Sequence, residues 1–146
     1  MTSAKTTTEL EFTRVLRERL ADCPEFAGVA IHESQRSGKL AMPAVIVACT
    51  AAPAADGPEI PTFTGTVHVM VCTDIDEDLQ DVDEAHRQRL GKVEEVLRGY
   101  EDVIAAIHAA GLLHVYMYSV SDATSTAEGR RYSDNVELTV HGQLLS

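Results

Sequence analysis

Residues 66–99 read TVHVMVCTDIDEDLQDVDEAHRQRLGKVEEVLRG, and the spacing of apolar residues changes partway along. Val67, Val69 and Val71 alternate with Thr66, His68 and Met70, the two-residue period of a strand with one covered face. Beyond the acidic segment, Leu79, Val82, His86, Leu90, Val93 and Leu97 recur every three or four residues, the buried stripe of an amphipathic helix. The pattern predicts a strand over residues 64–73 and a helix over 78–98. Gly99 is placed to end that helix in the left-handed conformation. Gly91, inside it, costs about 1 kcal/mol relative to alanine, a cost that close packing against another backbone would explain.

Working outward, the residues before this unit predict a helix and two more strands. Thr8 and Glu11 form a T-x-x-E capping box, and Phe12, Val15, Leu16 and Leu20 supply the stripe of a helix over 8–22 that Pro24 stops. A short strand over 29–33 follows. Residues 44–49, AVIVAC, are an unbroken apolar run, as in a strand covered on both faces. After the long helix, Val103, Ile104 and Ile107 mark a short helix over 101–109. Two strands close the chain, over 113–120 and 132–144. In the second, Tyr132, Val136, Leu138, Val140 and Leu144 face one way, and Asn135, Glu137, Thr139, His141 and Gln143 the other.

The expected fold is α+β: a mixed, largely antiparallel sheet of four to five strands with helices packed on one face. One domain spans residues 1–146, with 1–7 flexible. Two long connections, 52–62 and 121–130, interrupt the sheet. They are rich in Pro, Ala, Ser and Thr rather than His, Cys or acids, which suits arms laid against a neighbouring subunit.

Composition excludes several classes of function. The 146 residues carry 23 Asp plus Glu against 12 Lys plus Arg, a net charge of -11. Such a surface repels a phosphate backbone, whose binding depends on cationic contacts. Arg14, Arg17 and Arg19 lie among Glu9, Glu11 and Glu18, a mixed-charge helix face rather than a nucleic-acid patch. No apolar run reaches the roughly 20 residues of a membrane span, and residues 1–8 lack the features of a secretory signal. Cys23, Cys49 and Cys72 are odd in number and contain no CxxC pair, so no disulfide is expected.

No motif supplies catalysis. Asp74, Asp76 and Asp78 match the opening spacing of a calcium loop, but Leu79 stands where its glycine belongs and Ala85 where its bidentate Glu belongs. The segment reads as acidic capping of a helix start. His68, His114 and His141 all fall on strands without the close spacing that brings metal ligands together. His86, on the apolar stripe, reads as a packed or interface residue. Nucleophile elbows and Gly-rich phosphate loops are absent. The expectation is a protein that is not an enzyme, with no catalytic, cofactor-binding or metal residues and no cofactor.

In element order the chain resembles the tail-terminator and tail-completion proteins of long-tailed bacteriophages, including the minor tail proteins grouped with them. The likeness rests on a capped helix leading to PAVIVA (43–48), on TVHVMVCTDIDED (66–78) running into the helix that ends KVEEVLRG (92–99), and on the closing EGRRYSDNVELTVHG (128–142). It covers residues 9–142. The resemblance implies a structural virion protein made in the host bacterial cytoplasm and sited at the head-tail junction. There it would form a homo-oligomeric ring, a hexamer, that caps the tail tube. Its partners would be further copies of itself, the tail tube protein and head-side connector proteins, with neither membrane nor sequence-specific nucleic acid among them. A head-tail adaptor or neck protein is the alternative of the same class. A small metal-binding or hydrolytic protein, or a monomeric binding module for a host protein, would be of another class.

Overall fold

In the computed structural model, which describes residues 4–32, 43–53, 62–74, 79–128 and 131–145, two strands form the centre of one sheet. Strand β3 (Thr62–Asp74) and the final strand β6 (Arg131–Leu144) pair antiparallel without a break, from Thr62 opposite Gln143 to Asp74 opposite Arg131. Strand β2 (Ala44–Pro53) lines the other side of β3, and the short β1 (Ala30–His32) runs parallel to its start. Strand β4 (Leu113–Val120) pairs with the second half of β6 and β5 (Thr124–Glu128) with the first. The order is β1-β2-β3-β6-β4, with β5 also on β6. The last strand in sequence therefore enters between β3 and β4.

The sheet is mixed and largely antiparallel, and the fold is α+β as expected. Among the described residues it has six strands, where four to five are expected. The additional one is β5, inside the polar segment expected to be a loop. Its TSTAE sequence has no apolar face to betray a strand, yet Thr and Ser fit an edge whose backbone pairs on one side.

Among the described residues, three helices cover one face: α1 (Ala4–Ala21) over β2 and β3, α2 (Leu79–Arg98) over β3 and β6, and α3 (Tyr100–Ala109) beside β4. A 3-10 turn, Pro24–Phe26, follows α1. Alternation decides which side of each strand they bury. Phe63, Val67, Val69 and Val71 of β3, with Val136, Leu138 and Val140 of β6, are wholly buried beneath Phe12, Leu16, Leu20, Val93, Leu97 and Ile107. Each such side chain contributes about 1.5–3 kcal/mol on leaving water. In β2, Ala44, Val45, Ile46 and Val47 are all buried, as the unbroken apolar run predicts.

Helix α1 begins at Ala4, four residues before the expected cap. Thr8 is buried near Gly65, whose missing side chain leaves room for its methyl group, and Glu11 binds Arg14 at 2.9 Å instead of a free amide. The T-x-x-E spacing fits a helix interior as well as a helix start, and burial decides between them. Gly99 also departs from expectation. Its φ of -74° lies outside the left-handed region; it accepts from the Val103 amide and turns α2 directly into α3. Among the described residues the left-handed glycines are Gly28 (φ 78°), after the 3-10 turn, and Gly111 (φ 73°), after α3.

The edges of the sheet are closed by side chains. Glu9 Oε2 accepts from the Ala51 amide at 2.9 Å, beyond the reach of β1. Arg17 donates to the Ile31 carbonyl of β1. On the opposite edge, the Val115 amide donates to His108 Nε2 at 3.0 Å. Tyr118 Oη donates to the Leu97 carbonyl, tying β4 to the end of α2, and burial raises its phenol pKa well above the ordinary value. Charged or occupied edges oppose unwanted strand pairing.

Two substitutions test this account. Val136→Asp places an unpaired charge on the covered face of the central strand. Its cost of several kcal/mol rivals the roughly 5–15 kcal/mol that holds a domain together, so circular dichroism should show an unfolded chain. A side chain at Gly91 would meet nothing within 4 Å, so close packing does not explain that glycine. Gly91→Ala should stabilise the protein by about 1 kcal/mol in urea denaturation.

Candidate functional site

The most connected polar cluster is buried where α2 crosses β3 and β6. His86, 3% exposed on the apolar stripe of α2, places Nδ1 2.7 Å from Thr73 Oγ1 and Nε2 against Asp134 Oδ2. Ser125 of β5 donates its hydroxyl to Asp134 Oδ1. In the tautomer with its proton on Nε2, the His86 ring donates to Asp134 Oδ2 and accepts from Thr73 Oγ1. Every group then has a partner, the condition under which a buried polar network is tolerated.

Hydroxyl, imidazole and carboxylate in sequence is also the constitution of a nucleophilic triad. Here Thr73, His86 and Asp134 are all buried, whereas a nucleophile must meet its substrate. The cluster acts as a staple joining α2, β3, β6 and β5. Sequence reading placed His86 correctly as a packed residue but missed its partners. Asp134 occupies the covered face of β6, and the alternation Tyr132, Asp134, Val136 is the signal that marks it.

His68 and His141 lie on the sheet face away from the helices and His114 on the edge strand β4, and register keeps the three apart. His68 stands opposite Glu137, His141 opposite Thr64, and His114 opposite Gln143. Each has a different neighbour: Asn135 Nδ2 lies 3.2 Å from His68 Nδ1, Thr64 Oγ1 lies 3.2 Å from His141 Nδ1, and His114 stacks on His108 with ring centres 4.9 Å apart. Among the described residues no three His, Cys, Asp or Glu side chains are placed to hold a metal. Of the acidic segment, residues 75–78 and the side chains of 74–83 lie outside the described residues, as does most of the connection 52–62.

The α1 arginines are engaged rather than displayed. Arg14 bonds Glu11 and Glu18, Arg17 the Ile31 carbonyl, and Arg19 lies 3.4 Å from Asp102. A groove of about 270 Å³ between the helix ends is lined by Arg19, Asp22, Cys23, Lys92, Glu95 and Asp102. Its charges pair with one another, Lys92 with Glu95 at 3.4 Å. Burial pushes the Cys23 thiol above its ordinary pKa, which lowers its thiolate fraction and its reactivity. Cys23, Cys49 and Cys72 form no disulfide among the described residues, and Cys72 is buried in β3.

The surface feature that stands out is apolar. Along β4 and beside it, Leu112, Tyr116, Met117 and Leu145 are exposed, and the ladder slips between Val115 and Met117, a β-bulge at Tyr116. Leu112 and Leu145 adjoin, the Leu145 amide donating to the Leu112 carbonyl at 2.8 Å.

If the His86 cluster is a staple, its members contribute jointly. His86→Leu should lose about 3 kcal/mol by stranding the Asp134 carboxylate. The double substitution with Asp134→Leu should recover part of that loss, giving a coupling of about 1–3 kcal/mol in urea denaturation. Simple additivity would mean the contact contributes nothing.

No protein-family model matches the chain, and no curated protein sequence does. Among solved structures it is similar to a chain of the "Virion of native gene transfer agent (GTA) particle". The match covers 95% of both chains with a TM-score of 0.56 and 12% identity. At that identity the likeness shows a shared fold.

Proposed function

We propose that this chain is a structural virion protein, and more finely a tail terminator that assembles into a hexameric ring, caps the tail tube and meets the head-side connector. The observation that carries this reading is the fold shared, nearly end to end, with a chain of a gene transfer agent virion. The order of elements and the resemblance to tail-completion proteins point the same way. The polar clusters suit such a role, since the buried one staples the core and the histidines of the outer face pair with their neighbours. The acidic balance of -11 suits a conduit wall that does not grip passing DNA.

The test is the mass of the purified protein by light scattering coupled to size exclusion, with negative-stain imaging of the peak. The expected result is a hexamer seen as a ring with a central hole. A monomer at every concentration would contradict the reading.

A further inference from the structure

Among the described residues, four of the six large apolar side chains that stand exposed lie on β4 or beside its start: Tyr116 and Met117 on the strand, Leu112 and Leu145 next to it. Tyr116 is 54% and Met117 57% exposed, neighbours at a bulge that leaves both side chains outside the subunit. Bulges at edges re-aim side chains and interrupt pairing. We propose that the β4 edge is the surface on which a second copy of this chain docks, through side chains rather than by strand addition.

Charge selects the occupant. Two copies each carrying -11 repel one another, and least so when the meeting surfaces bear no charge. Residues 109–121, AAGLLHVYMYSVS, and 141–146, HGQLLS, contain no Asp, Glu, Lys or Arg. A basic partner would seek the acidic faces and gain nothing here. An acidic one, of which a second copy is the nearest at hand, finds in this edge an apolar surface without repulsion.

The backbone excludes the other mode of docking. The Val115 amide is already held by His108 Nε2, and the bulge breaks the regular ladder just beyond it. An incoming strand would meet an occupied donor and an irregular register, whereas Tyr116 and Met117 stand clear to pack against a neighbour. Tyr and Met are enriched at interface cores for their large, adaptable apolar area.

This inference rests on the self-association in the reading above, and its test separates the two. The mass of the full chain is followed by light scattering through a dilution series, for the wild type and for Tyr116→Ser/Met117→Ser. Hydrogen exchange of wild-type residues 112–120 is measured at both ends of the series. Neither substitution adds charge, and neither removes a buried side chain. The variant should keep its thermal unfolding while dissociating at concentrations on the order of tenfold or more higher than the wild type. Wild-type amides over 112–120 should exchange more slowly when concentrated. A variant that keeps the wild-type mass, with exchange over 112–120 indifferent to concentration, overturns the β4 edge and leaves the ring reading standing. A wild type that is monomeric throughout overturns both. Should the variant fail to fold, the wild-type exchange alone decides.

Discussion

The antiparallel ladder between β3 and β6 is the interaction on which the rest of the structure depends. It joins residues 62–74 to 131–143, so the centre of the sheet closes only when the last strand of the chain arrives. Until then β4 has no neighbour, because β6 separates it from β3. The helices likewise pack on a face that β3 and β6 complete together. Gly142 shows how closely the parts fit. A side chain there would run into the His114 carbonyl and the Phe63 ring, so β6 passes between its neighbours only with glycine at that position.

Around this centre the molecule divides its polar groups between inside and outside. Within, Thr73, His86, Asp134 and Ser125 satisfy one another and fix α2 over the ladder. At the margins, Glu9, Arg17 and His108 hold backbone groups of the outer strands. Such edge protection discourages open-ended strand pairing while leaving side chains free to make a specific contact. A protein that assembles in a closed form has use for both properties, since heterologous contacts that do not close build filaments.

Much of this order was legible in the sequence wherever burial imposes a period. The stripes of α1 and α2, the alternation of β3 and β6 and the unbroken run of β2 predicted their elements to within a few residues. The failures fell where local chemistry serves two uses. The T-x-x-E of α1 reads as a cap, yet Thr8 is buried within the helix. Gly99 reads as a left-handed stop, while the chain instead turns into α3 and leaves that conformation to Gly111. Strand β5 pairs with the adjoining start of β6, from Glu128 opposite Arg131 to Thr124 opposite Asn135, but it is polar throughout, so no apolar alternation marks it. The His86 cluster was half visible. His86 stood out on an apolar stripe, but its partners lie 13 and 48 residues away on other elements.

Assembly into a closed ring through the uncharged, bulged β4 edge is what we propose for this subunit. Cryo-electron microscopy of the assembled protein tests it most directly. The account predicts a ring with a central opening in which β4 of every copy lies at a subunit boundary, with Tyr116 and Met117 buried there. A two-fold dimer, or a ring whose copies meet elsewhere while β4 faces solvent, would contradict it.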